Sequence, residues 1–145
     1  MFFSSKSVVA AVATTLLALA ASPSFADTVV KVIESGEDGG AMAIKLDTTS
    51  VKAGLVTFAV HNEAASEEHE MVLVKLKSAD EKIPLNKNKD RVEEKKLKSL
   101  GEVEDLNPGA NGELKADLKP GSYLLLCNIK GHYSAGMHAR LTVNP

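Results

Sequence analysis

The chain has 145 residues, with 17 Lys plus Arg against 19 Asp plus Glu, and its first 26 read as a segment removed on export. The 119 that remain are one domain's worth of chain with a net charge of −3, which excludes a protein built to neutralise nucleic-acid phosphates. There is no Trp, and beyond residue 26 only Phe58, Tyr123 and Tyr133 are aromatic, so stacking platforms for bases or sugars are scarce and the core is aliphatic.

In chain order, Lys6, the 14-residue uncharged run Val8 to Ala21, and Ser24-Phe25-Ala26 with small residues at its first and third places make the three parts of a secretory signal peptide. A membrane anchor needs about 20 apolar residues, more than this run supplies. Cleavage after Ala26 is expected, leaving residues 27–145 as one soluble domain in the periplasm. No later stretch is long or apolar enough to span a bilayer.

Short β-rich runs broken by turn residues follow, the pattern of an all-β sandwich. Strands are predicted over Thr28 to Glu34, Ala41 to Asp47 after the turn Glu37-Asp38-Gly39-Gly40, Leu55 to His61, and Glu70 to Leu76 with Val72, Val74 and Leu76 on one face. Downstream come Gly112 to Leu118, Ser122 to Cys127 (apolar on both faces, like a central strand), and His138 to Val143 with Ala139, Leu141 and Val143 inward. Asn107-Pro108-Gly109 and Lys119-Pro120-Gly121 are turn signals in this stretch. About seven strands result. Lys77 to Leu106 breaks the pattern and reads as a charged insertion, with one short helix over Lys89 to Leu100. Lys75 to Lys98 holds nine basic and five acidic residues, a local +4 that leaves −7 for the rest of the mature chain. Such a run is ordinarily a solvated face; docking a partner is the other reading. No repeat or flexible linker argues for a second domain.

One cysteine stands alone where an exported protein would use pairs, so Cys127 is an inert buried thiol, half of an intermolecular disulfide, or a metal ligand. Its surroundings decide. Cys127, His132 and Met137 follow one another at intervals of five, a series of soft and borderline ligands from one strand end and the loop after it. Copper cycling between two oxidation states is suited by two imidazoles and a thiolate in a plane with a weak axial thioether. Among His61, His69, His132 and His138, His69 lies just ahead of the apolar strand and is the choice for the second imidazole. His61 comes eight residues too early, and His138 follows Met137 on the opposite side of the chain, facing solvent.

These residues resemble the cupredoxins, the type 1 blue copper proteins. Val56-Thr57-Phe58 leading through Asn62-Glu63 to His69, and Lys119-Pro120-Gly121-Ser122-Tyr123 leading to Cys127, look like the two ligand-bearing halves of that fold. Four residues between Cys127 and His132, and four between His132 and Met137, look most like the rusticyanin and sulfocyanin branch. The resemblance implies a Greek-key β-sandwich holding one type 1 copper ion, with His69, Cys127 and His132 equatorial and Met137 axial. It also implies that His132 reaches the loop surface as the electron's exit. Many members place Asn directly after the first histidine; here the residue is Glu70, so the surroundings of the ligands are altered.

The function expected is one-electron transfer by a monomer between redox proteins such as a cytochrome or an oxidase. Glu63, Glu67, Glu68 and Glu70 around His69 would form a negative rim suited to a cationic partner. A copper carrier or resistance protein would use the same ligands. An enzyme would need a second copper site, for which only His61 and His138 are spare, so no enzymatic turnover is expected.

Overall fold

The computed structural model describes residues 27–145, so the predicted signal segment lies outside the described residues. Eleven strands run in order: β1 Thr28–Ser35, β2 Ala43–Leu46, β3 Ser50–Lys52, β4 Gly54–Asn62, β5 His69–Lys75, β6 Leu85–Asn86, β7 Arg91–Val92, β8 Lys98–Leu106, β9 Asn111–Leu118, β10 Gly121–Leu126 and β11 His138–Asn144. Nine of them build two sheets, in the orders β2-β1-β4-β9 and β3-β11-β10-β5-β8, and β6 pairs only with β7. β1 runs parallel to β4 and β3 parallel to β11; the other pairs are antiparallel. Neighbours that are distant in sequence mean that the chain crosses between sheets, as an all-β sandwich does to bury two apolar faces against each other.

All seven predicted strands are present. Alternation explains most of them: Val30 and Val32 of β1, Val56, Phe58 and Val60 of β4, Met71 and Leu73 of β5, Tyr123 and Leu125 of β10, and Leu141 and Val143 of β11 make the main core. Tyr123 fixes its corner by donating its hydroxyl to the Lys119 carbonyl at 2.6 Å. As expected, β10 lies inside its sheet and is apolar on both faces.

The second face of β5 and β10 explains the insertion. Val72, Val74, Leu76, Leu124 and Leu126 turn away from the main core, and a bare sheet would leave them in water. Ile83, Leu85, Val92, Leu97 and Tyr133 cover them, so the charged segment is a lid with an apolar underside. The helix expected within Lys89 to Leu100 is one three-residue 3₁₀ turn, Glu94–Lys96, which buries none of its residues. The chain then enters β8, a strand that alternation did not disclose. No helix among the described residues is long and apolar enough to cross a membrane.

Candidate metal centre

β5 opens on His69, and Cys127 directly follows β10. The antiparallel register, with Leu126 opposite Val72, carries Cys127 alongside the first residues of β5. Residues 128–137 then form a loop closed by its own backbone. His132 N–H donates to Ile129 O at 3.0 Å, Ala135 N–H to Gly131 O at 2.9 Å, and Met137 N–H to His132 O at 3.0 Å. Cys127 N–H donates to Met137 O at 3.1 Å and ties the two ends of the loop together. Gly136, at φ +106°, passes the chain close to Met42, just ahead of β2, where a Cβ would stand 3.0 Å from the Met42 carbonyl oxygen.

This geometry brings together three of the four residues singled out in the sequence as ligands. One donor atom each from His69, Cys127 and His132 lies within 4.8 Å of the other two, and all three residues are buried. The Nδ1 atoms of His69 and His132 are 3.3 Å apart, and Cys127 Sγ is 3.3 Å from His132 Nδ1. His69 Nε2 lies 3.3 Å from the Gly36 carbonyl, which can only accept, so the ring carries its proton there and turns the Nδ1 lone pair to the cluster. Gly36, directly after β1, is at φ +125°, and a Cβ on it would strike Met42 at 2.7 Å; only glycine lets the chain bring this carbonyl to His69. Met137 is fully buried, and its backbone is joined to Cys127 as described.

The donor chemistry suits copper. Burial holds both imidazoles below their ordinary pKa, with the His69 ring as a further cause for His132, so they stay neutral and available at pH 7. Burial pushes the Cys127 thiol up to about 12, against lowering by the backbone N–H groups of Ile129 and Glu70 that point at the sulfur. Two neutral imidazoles and a thiol that releases its proton on binding a cation are a borderline-to-soft set, matched to copper.

Residues 30–144 match the family described as copper binding proteins, plastocyanin/azurin family. The chain belongs to that family. No curated protein sequence matches it. Among solved structures it is similar to auracyanin B, at 27% identity and TM-score 0.58, over 81% of this chain and 89% of that one. It is similar to auracyanin A, a "blue" copper protein from the green thermophilic photosynthetic bacterium Chloroflexus aurantiacus, at 23% identity and TM-score 0.56, over 82% of this chain and 100% of that one. It is also similar to rusticyanin from Thiobacillus ferrooxidans, at 15% identity and TM-score 0.55, over 83% of this chain and 80% of that one. The two lower identities show the shared fold alone.

In this cupredoxin the residue after the first histidine still bridges the ligand loops, although it is Glu rather than Asn. Asn128 N–H donates to Glu70 Oε1 at 3.0 Å, tying the residue after Cys127 to the one after His69. Glu70 is thereby turned inward and leaves the acidic rim to which its sequence neighbours assigned it; burial raises its pKa. The carboxylates felt at the two histidines are instead Glu67, Glu37 and Asp38, the latter two contributed by the turn after β1. Asn128 itself had given no signal in the sequence. Its amide accepts from Val92 N–H at 2.6 Å and donates to Val92 O at 3.0 Å, pinning the insertion to the metal loop. His61 and His138 stand apart from the cluster, as expected: His61 Nδ1 pairs with Asn111 Oδ1 at 2.9 Å, and His138 is exposed and stacked on Tyr133.

Glu34 on β1 was also missed. It is fully buried, and neither carboxylate oxygen has a partner among the described residues. Burial, followed by the Glu70 carboxyl, pushes its pKa up to about 8 from an ordinary 4.5, so it is neutral at pH 7. Between those values the unfolded chain binds fewer protons than the folded one, and this group makes stability fall as pH rises. In the copper-free protein Glu34→Gln should remove that loss. Its stability advantage over wild type should widen by roughly 3 kcal/mol from about pH 5 to 7.5, as urea unfolding at several pH values would show. A gap independent of pH would mean that Glu34 ionises normally.

Proposed function

We propose that residues 27–145, exported to the periplasm after removal of residues 1–26, form a one-domain, monomeric one-electron carrier with His69, Cys127, His132 and Met137 as its copper ligands. The observation that supports this best is the buried cluster of two neutral imidazoles and one thiol on packed strands, in a chain of a copper-binding family whose members are mainly electron carriers. Copper, when bound, supplies a one-electron Cu(II)/Cu(I) couple. The chain supplies rigidity. His69 and Cys127 are anchored at the ends of paired central strands, and the loop carrying His132 and Met137 is closed by internal hydrogen bonds, so the donors are held alike for either charge of the ion. His132 retains 5% of its surface while His69, Cys127 and Met137 retain none, which favours it as the point of contact with a partner. Beside it Ser134 and Gly136 are exposed and small, allowing the close, transient approach that redox pairs use. Glu67, Glu37 and Asp38 make that side negative and suit a cationic redox protein such as a basic cytochrome or an oxidase with a basic face.

Nothing in this reading requires enzymatic turnover, since the remaining histidines are engaged with Asn111 and Tyr133. To separate an electron carrier from a copper carrier, the loaded protein would be cycled repeatedly between oxidation states beside a copper-free acceptor. Copper retained through the cycles supports the proposal, and copper delivered to the acceptor contradicts it. The ligand choice has its own test. His69→Ala should lower copper affinity by at least about 100-fold, beyond what a merely supporting residue costs, whereas His61→Ala should leave it within about twofold. Titration with a competing chelator measures both, and the reverse order would transfer the role to His61.

A further inference from the structure

The insertion that lids the second apolar face carries an open cavity of about 590 Å³ on its outer side. Lys89, Arg91, Lys95 and Lys96 line it, and buried Asn128 stands at its inner end, one peptide bond from Cys127. Of the two carboxylates in its wall, Glu93 is paired with Lys96 at 2.6 Å, and Glu94 accepts from the neutral Asn128 Nδ2 at 2.5 Å and keeps its charge, so the four cations leave the wall net positive. Lys89, Arg91 and Lys95 are exposed and form no ion pair among the described residues, so the cavity has a positive rim. That rim is fixed in place. Val92, Leu85 and Leu97 anchor its backbone on the second apolar face of β5 and β10, and Asn128 clamps Val92 through both of its backbone groups.

The cavity wall, with four cations to two carboxylates, carries a net positive charge. Glu37, Asp38 and Glu67 lie toward the His69–His132 side, while the positive cavity opens beside Cys127 and Asn128. We propose that this cavity is the docking surface for a second redox partner that presents an acidic face. The kind of partner rests on the electron-carrier reading; the binding of anions at this place does not.

The test uses the copper-loaded protein in its reduced, diamagnetic form with hexacyanochromate(III), a redox-inert paramagnetic trianion, as the probe. Amide resonances of Lys89, Arg91, Lys95 and Asn128 should broaden first. Lys89→Glu with Lys95→Glu should weaken the anion's binding about tenfold at low salt. Lys45→Glu with Lys52→Glu, an equal change of net charge at exposed sites on other strands, should alter it no more than about twofold. Broadening spread evenly over surface lysines, or equal weakening by the two double variants, would overturn the proposal. Electron transfer with a cytochrome of acidic surface should show the same contrast between the variants; equal rates for both would also overturn it. If the anion binds as expected but copper leaves during redox cycling, the electron-carrier reading fails while the anion site stands.

Discussion

Cys127→Ser should abolish the intense visible absorption of the copper-loaded protein and lower its copper affinity by more than about 100-fold, the upper end of what even supporting residues around a metal cost. The sulfur sits 3.3 Å from His132 Nδ1, is fully buried, and receives two backbone N–H groups, so nothing else in the cluster can take its place. A hydroxyl at this position is a poor ligand that does not give up its proton. Because burial keeps the thiol protonated, at a pKa of about 12, metal binding must expel that proton. Wild type should release about one proton per copper bound near pH 7, since burial holds both histidines below their ordinary pKa and favours their neutral form, and the serine variant should release about one proton fewer. Proton release is read from the colour of a weakly buffered indicator. Undiminished absorption in the variant would remove Cys127 from the site.

Asn128→Ala should cost roughly 3 kcal/mol, because it strips partners from both backbone groups of the buried residue Val92 at once, each group costing about 1–3 kcal/mol when left unpaired. The damage should be local. With the clamp gone, amides from Leu85 to Lys96 should exchange faster, and the lid over Val72, Val74 and Leu126 should loosen. The backbone bond from Asn128 N–H to Glu70 survives the change, so the variant should still bind copper. Denaturant unfolding with hydrogen exchange checks both parts. Loss of stability below about 0.5 kcal/mol would show that the insertion is held by its apolar underside alone.

What was legible in the sequence was what is local. Seven strands followed from short β-rich runs between turn residues, and Cys127, His132 and Met137 announced themselves by spacing from one strand end into the loop after it. β8 did not, because its apolar residues Leu100, Val103 and Leu106 keep no period of two. The strand is irregular: its pairing with β5 slips twice, Gly101 is at φ +138°, and Asp105 is at φ +53°. The spacing of Val92, Leu97 and Leu100 imitated a helix for a different reason. Val92, in β7, and Leu97, after the 3₁₀ turn, reach down onto the same apolar face, and Leu100 packs against the main core instead. Glu34, Glu70 and Asn128 were hidden in another way. A carboxylate in a strand that otherwise alternates reads as solvent-facing, and only the stacking of two sheets and the lid reveals that Glu34 is sealed in, that Glu70 turns inward, and that Asn128 holds two elements together.

The visible and electron-paramagnetic-resonance spectra of the copper-loaded mature protein test the proposed centre of His69, Cys127, His132 and Met137 most directly. The prediction is an intense thiolate-to-copper band together with the narrow hyperfine splitting expected when the unpaired electron is shared with sulfur. A pale solution with the wide splitting of tetragonal copper held by nitrogen and oxygen alone would contradict it.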